Sequence, residues 1–147
     1  MANRNRRFAL AAIALTFMFV AMRGAARAAT ITVNSRSDPG GTLGCSLRQA
    51  ITNANAQNQS GSTHCAAGTG TDTIEFSTTG TITLQSTLPA IVSGETLTIT
   101  GPTTSPGITI SGGNAVELMV VNSGAMLTLQ FLTLEDGSAT GNVSGFG

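Results

Sequence analysis

The chain lacks lysine, tryptophan and tyrosine, contains a single histidine, and has only 10% charged residues. All seven basic residues are arginines, and five of them lie at or before Arg27, so two arginines face seven acidic residues in the remainder. The resulting net charge of −5 (2 − 7) provides no basic surface for nucleic acid and disfavours an anionic membrane surface. With His64 as the only histidine and no G-x-S-x-G motif, a Ser-His-Asp site is not indicated.

The first 28 residues have the features of a secretory signal peptide. Three arginines within the first seven residues precede an uncharged apolar run from Ala9 to Met22, and Ala26-Arg27-Ala28 supplies an A-x-A cleavage site before Ala29. The run is shorter than the ~20 residues of a membrane span, which favours a cleaved leader over an uncleaved anchor. We therefore expect a secreted or outer-surface protein whose mature chain does not span a membrane.

Cys45 and Cys65 are the only two cysteines. In an oxidising compartment such a pair most often forms a disulfide, and closing a loop of ~20 residues stabilises by roughly 3 kcal/mol in the chain-entropy model. The alternative is a zinc site formed by both cysteines and His64. It lacks a fourth ligand and the usual C-x2-4-C spacing, so the disulfide is favoured.

Residues 29–70 predict an N-terminal cap built around one helix. A short alternating strand at Thr30–Asn34 comes first. Ser46 and Gln49 then form an S-x-x-Q capping box, which marks the start of a helix of about ten residues. Leu47, Ala50, Ile51 and Ala54 would form its apolar stripe, whereas Asn53, Asn55 and Gln57 would lie on other faces or at its end.

From Thr71 onward, short strand-like segments alternate with glycine-containing turns. The expected strands are Thr73–Phe76, Thr81–Leu84, Thr96–Ile99, Gly107–Ile110, Glu117–Val121, Leu127–Leu129 and Leu132–Leu134. The near-repeats T-I-T-L, T-L-T-I and I-T-I favour a solenoid, and the scarcity of Asn-Gly or Asp-Gly turns disfavours hairpins. We predict an all-β stack of about three coils over residues 71–147, with the helix covering its first edge.

The segment C-S-L-R-Q-A-I at residues 45–51 resembles the CSLREA domain of bacterial secreted and surface β-helix proteins, with Gln49 where that family usually has Glu. The stretches T-V-N-S, T-D-T-I-E-F, G-T-I-T-L and L-T-I-T-G-P are similar to the family as well. The resemblance implies a right-handed parallel β-helix of the pectin-lyase type. It also implies that further coils follow the N-terminal segment, so residues 71–147 are expected to be incomplete.

The polysaccharide lyases that this fold resembles have a different set of site residues. They combine clustered acidic calcium ligands with a basic residue. Asp72 and Glu75 could share a face, but no basic residue lies near them in the sequence, and Glu135 and Asp136 would point to opposite sides of a strand. We interpret these residues as solvated surface charges and Arg48 as covering the apolar edge of the helix or pairing with a carboxylate. No catalytic residue, cofactor or metal is expected. A glycosidase pair stays open among Glu95, Glu117 and Glu135.

The leading expectation is a secreted or cell-surface β-helix segment with a structural or adhesive role and no catalysis of its own. One alternative is the N-terminal part of a carbohydrate-active enzyme, a polysaccharide lyase or hydrolase, whose site lies in further coils. Another is a threonine-face binder of glycan or ice, although β-propensity alone also accounts for threonine in strands. Its candidate residues are Thr81, Thr83, Thr96, Thr98 and Thr109. Surface glycans or other cell-surface proteins are the candidate partners.

Overall fold

The structure, a computed structural model, describes residues 28–139, so the expected signal peptide lies outside the described residues except for Ala28. Within this range the chain forms one α-helix and seven β-strands. The helix is α1 (Leu47–Ala56), and the strands are β1 (Ala29–Val33), β2 (Thr71–Phe76), β3 (Gly80–Thr83), β4 (Thr96–Thr100), β5 (Ile108–Ser111), β6 (Met126–Gln130) and β7 (Leu132–Glu135).

The strands pair in parallel and form two sheets. Sheet 1 has the order β1-β2-β4-β6, and sheet 2 has the order β3-β5-β7. From β2 onward the chain therefore alternates between the sheets, and each strand pairs with the strand two places along the chain. An isolated parallel bridge joins Ile91 to Val121 outside both sheets. The predicted parallel strands and single helix are thus confirmed.

Inward-facing aliphatic residues form the core, because alternate residues of a strand point to opposite sides of a sheet. Ile31, Ile74 and Ile99 are fully buried and are register partners on successive strands of sheet 1. Ile82 and Ile110 form the equivalent pair in sheet 2. Burying such a side chain stabilises the fold by about 2 kcal/mol, so this internal column holds the two sheets together.

Helix α1 packs against β1 and β2 at the N-terminal end of sheet 1. The predicted stripe of Leu47, Ala50, Ile51 and Ala54 is buried. A disulfide joins Cys45 to Cys65, which confirms the predicted pairing and ties the start of α1 to the loop that leads to β2.

Two expectations about individual segments are wrong. Residues 117–121 form no strand, because only scattered backbone bonds reach them, from Leu88 N to Leu118 O and from Ile91 N to Val120 O, and Val121 makes a single bridge. The expectation that Asn53 lies on another face of the helix or at its end is also wrong, because Asn53 is fully buried and its side chain bonds to the backbone of the following loop. A buried amide is tolerated when its hydrogen bonds are satisfied, and periodicity alone does not reveal such partners.

Candidate functional site

The C-S-L-R-Q segment forms the cap at the N-terminal end of the stack. Ser46 Oγ accepts a hydrogen bond from Gln49 N at 3.3 Å, and Gln49 Oε1 accepts one from Ser46 N at 3.0 Å, which completes the predicted capping box. Cys45 is buried in the disulfide and Leu47 is buried in the core. These four residues therefore begin the helix and fix its position.

Arg48 links the cap to the first coil segment. Its Nε donates to Asp38 Oδ1 at 2.6 Å and its Nη2 donates to Asp38 Oδ2 at 2.8 Å, a two-point ion pair with little solvent exposure. The guanidinium also donates to the carbonyl oxygens of Ser86 and Thr87, and Asp38 Oδ2 accepts from Gln85 N. One ion pair thus satisfies three backbone groups of residues 85–87, and the expected pairing of Arg48 with a carboxylate is confirmed.

The side chain of Asn55 bonds to the backbone just beyond residues 85–87, at the same edge of the stack. Its Nδ2 donates to Ala90 O at 2.9 Å, and its Oδ1 accepts from Val92 N at 3.1 Å. The side-chain amide therefore pairs with residues 90 and 92 as a neighbouring strand would. On the opposite side, Ile91 bridges to Val121. The helix closes a backbone edge that would otherwise be open to pairing.

Asn53 organises the loop between α1 and β2. Its Nδ2 donates to the carbonyl oxygens of Ser62, Cys65 and Ala66, while its Oδ1 accepts from the amides of Gly61 and Ser62. The loop passes so close to the helix that a Cβ on Gly68 would collide with helix backbone.

The opposite end of the described chain is apolar and exposed. Met126 and Phe131 are each 62% exposed, and Leu129, Leu134 and Val121 are exposed as well. Strands β6 and β7 form the outer edges of their sheets among the described residues. The two ends therefore differ, since the N-terminal edge is covered by polar side chains and the helix.

Threonines line the outward face of sheet 1. Thr30, Thr73, Thr98 and Thr128 are register partners on β1, β2, β4 and β6 and form a continuous ladder with a strand spacing of ~4.8 Å. A cleft of about 280 Å³ adjoins this face. It is lined by Glu75, Phe76, Thr100, Gly101, Pro102 and Thr103.

The five threonines proposed as one binding face lie in two sheets. Thr96 and Thr98 belong to β4 in sheet 1, whereas Thr81, Thr83 and Thr109 belong to β3 and β5 in sheet 2. Thr81 and Thr109 are register partners, but Thr83 pairs with Ser111. The longest ladder thus includes Thr98 together with threonines that the sequence did not single out.

Two acidic residues lie inside the stack. Asp72 is 2% exposed and Glu95 is 1% exposed, so the interpretation of Asp72 as a solvated surface charge is wrong. Burial, with the negative charge of nearby Asp72 adding to its effect, raises the pKa of Glu95 to about 7. The sequence holds a signal for both positions, since each lies two residues before an inward aliphatic residue, Ile74 or Leu97.

The remaining candidates do not come together. Asp72 faces inward and Glu75 is exposed, so they share no face. Glu117 and Glu135 are exposed while Glu95 is buried. Both cysteine sulfurs are consumed by the disulfide, which removes the thiolates that a zinc site with His64 would need. Within residues 28–139, no group of three or more His, Cys, Asp or Glu side chains is arranged to hold a metal ion.

Comparison of the chain with known protein families, curated proteins and solved structures finds no match. In the part of the chain that the structure describes, no helix is long and apolar enough to cross a membrane.

Proposed function

We propose that the chain is a secreted or cell-surface segment of a right-handed parallel β-helix, with a structural or adhesive role and no catalysis of its own. The single observation that carries this proposal is the asymmetry of the stack. Its N-terminal edge is closed by α1, Arg48 and Asn55, whereas apolar side chains are exposed on β6 and β7. A cap of this kind is what the first unit of a solenoid requires.

The strand order supports the β-helix. The pairs β2–β3, β4–β5 and β6–β7 follow one another, and each pair stacks on the pair before it through parallel ladders. We assign a right hand to the coils because parallel crossover connections are right-handed in about 98% of cases. The likeness of residues 45–51 to the CSLREA segment agrees with this assignment, since Cys45 to Gln49 all serve to hold the cap.

Export through a leader that ends at Ala28 is part of the proposal. The Cys45–Cys65 disulfide is compatible with an oxidising compartment. The first test is the intact mass and N-terminal sequence of the secreted, unreduced protein. We expect a chain that begins at Ala29 and has lost two hydrogens to the disulfide, and two free thiols would contradict the proposal.

The structural role is tested against enzymatic activity with a panel of polysaccharides. We expect the secreted protein to leave every glycan unchanged in length and free of unsaturated ends. Chain shortening or a new unsaturated product would favour the alternative of a carbohydrate-active β-helix enzyme. A variant with Glu75→Gln would then show whether the cleft beside sheet 1 is involved.

The threonine ladder of sheet 1 favours a second function, the binding of a repetitive surface glycan. Its threonines recur at a strand spacing of ~4.8 Å across sheet 1, and a cleft lined in part by Phe76 lies beside them. We expect Thr73→Lys with Thr98→Lys to abolish binding on a glycan array. The matched control is Thr81→Lys with Thr109→Lys on sheet 2, which should leave binding unchanged.

If the sheet 1 and sheet 2 double variants bind glycan equally well, the threonine ladder is not the glycan site. Ice is the other repetitive ligand for such a face, and a thermal hysteresis lost only in the sheet 1 variant would assign the ladder to ice instead. Circular dichroism of each variant checks that the parallel sheets persist.

A further inference from the structure

A pair of acidic side chains lies where the core is otherwise aliphatic. Asp72 is the register partner of Ala29 on β1 and of Leu97 on β4, and it points inward. Glu95 immediately precedes β4 and is buried to the same extent. No charged side chain comes from β1, β4 or β6, and Glu75 of β2 is exposed. Nothing basic on these strands balances the pair.

The hydrogen bonds of the two carboxyl groups differ. Asp72 accepts from the backbone amides of Ala29, Thr69 and Gly70 and from the Thr69 hydroxyl. Both carboxyl oxygens of Glu95 are buried and have no hydrogen-bond donor in the described part of the chain. A buried carboxylate without a donor or countercharge is costly, and this cost is what raises the pKa of Glu95 to about 7.

The nitrogen of Ala29 lies 3.2 Å from Asp72 Oδ1 and donates to it. Ala28, the residue before it, is exposed. Hydrolysis of the Ala28–Ala29 bond by a leader peptidase consumes one water. It leaves a carboxylate on Ala28 and an amino group on Ala29, which takes up a proton. The neutral amide donor beside the acidic pair would then become an ammonium group with three donors.

We propose that Asp72 and Glu95 form a binding site for the chain's own α-ammonium group, created at Ala29 when the leader is removed. The ammonium supplies the positive charge that the acidic pair lacks and hydrogen-bond donors for Glu95, which has none. Removal of the leader thereby fastens β1 to β2 at the edge of sheet 1 and stabilises the folded chain. This inference rests on the cleavage position proposed above, and it assigns a role to two residues that the structural function does not use.

The absence of lysine makes the test direct, because the α-amino group of Ala29 is then the only primary amine within residues 29–147. The secreted protein is treated with an amine-acylating reagent at about pH 8, near the usual α-amino pKa of roughly 7.7–8.0. We expect acylation at least about tenfold slower in the folded chain than in urea, since the ion pair raises the pKa of the amine. The control carries one alanine inserted after Ala28, which displaces the amine from the site, and it should react at nearly the unfolded rate.

Stability supplies the second measurement. We expect the processed chain to melt about 5 °C or more above the control with the inserted alanine. In Glu95→Gln this difference should shrink, because one of the two negative charges is gone. Equal acylation rates for the processed chain and the control would overturn the proposal while leaving the cleavage position intact. An N-terminus other than Ala29 would overturn both. The acylation rate of the folded wild-type chain relative to the same chain in urea needs no variant, and equal rates in these two conditions would also overturn the proposal.

Discussion

At the scale of single residues, the buried polar side chains carry most of the information in this protein. Asn53 holds one loop through five hydrogen bonds, and Asp38 joins Arg48 to Gln85. These groups are satisfied, whereas the carboxyl oxygens of Glu95 are not. Because unsatisfied buried groups are costly, Glu95 is the residue whose protonation should change stability most.

We predict that the stability of the unprocessed chain, in which Ala28 is still bonded to Ala29, falls with rising pH. The folded pKa of Glu95, about 7, exceeds its unfolded value of 4.5, so the folded state binds more protons between these values. The contribution of the Glu95 proton to the free energy of unfolding is complete below about pH 4.5. It is lost as the pH rises through 7, a loss on the order of 3 kcal/mol. Urea denaturation between pH 4.5 and 8 measures it. Glu95→Gln should flatten the profile, and an unchanged slope would contradict the assignment.

At the scale of elements, local signals predicted α1 and most strands, but not their contacts. The capping box and the spacing of Leu47, Ala50, Ile51 and Ala54 depend on residues within two turns, so the helix could be predicted. Asn55 and Arg48 bond to residues more than thirty positions away. No local pattern identifies those partners, and the role of the helix as an edge cap emerged only from the structure.

We predict that Arg48→Met destabilises the protein by about 3–5 kcal/mol, because it removes the countercharge of the buried Asp38 carboxylate and the donor to two carbonyl oxygens. Arg36→Met is the matched control. Arg36 is exposed, and its replacement should change the free energy of unfolding by less than about 0.5 kcal/mol. Urea denaturation measures the free energy of unfolding of both variants. Equal decreases would show that the Arg48–Asp38 ion pair does not stabilise the fold.

Across the whole molecule, the fold is a stack in which each strand hydrogen-bonds, as a ladder, only to its neighbours in the same sheet. Stability in such a stack is approximately a sum of neighbouring interfaces. The cap and the disulfide act at the first interface, between β1, β2 and α1. A perturbation there should therefore weaken with distance along the stack.

We predict that reduction of Cys45–Cys65 lowers the free energy of unfolding by about 3 kcal/mol, the value for a closed loop of this length. Hydrogen exchange should rise most in β1 and β2 and least in β5 and β7, because the latter are remote from the bond. The control is the same reductant applied to a Cys45→Ala, Cys65→Ala variant, which should show no change. A uniform rise in exchange across all strands would mean that the chain unfolds as one unit.

Sequence patterns were enough to predict which aliphatic side chains face inward, where the helix begins and which cysteines pair, but not the burial of Asn53 and Asp72. Alternation, capping and a lone cysteine pair are properties of neighbouring residues or of composition, so they can be recognised without coordinates. The alignment of Thr98 with Thr30, Thr73 and Thr128 in one ladder could be seen only in the folded chain. The tertiary structure also placed Asp72, which accepts a hydrogen bond from the half-buried Ala29 nitrogen, near Glu95 inside the stack. These juxtapositions depend on which strands pair and in which register, and pairing across 25 or more residues is set by the packing of the whole stack.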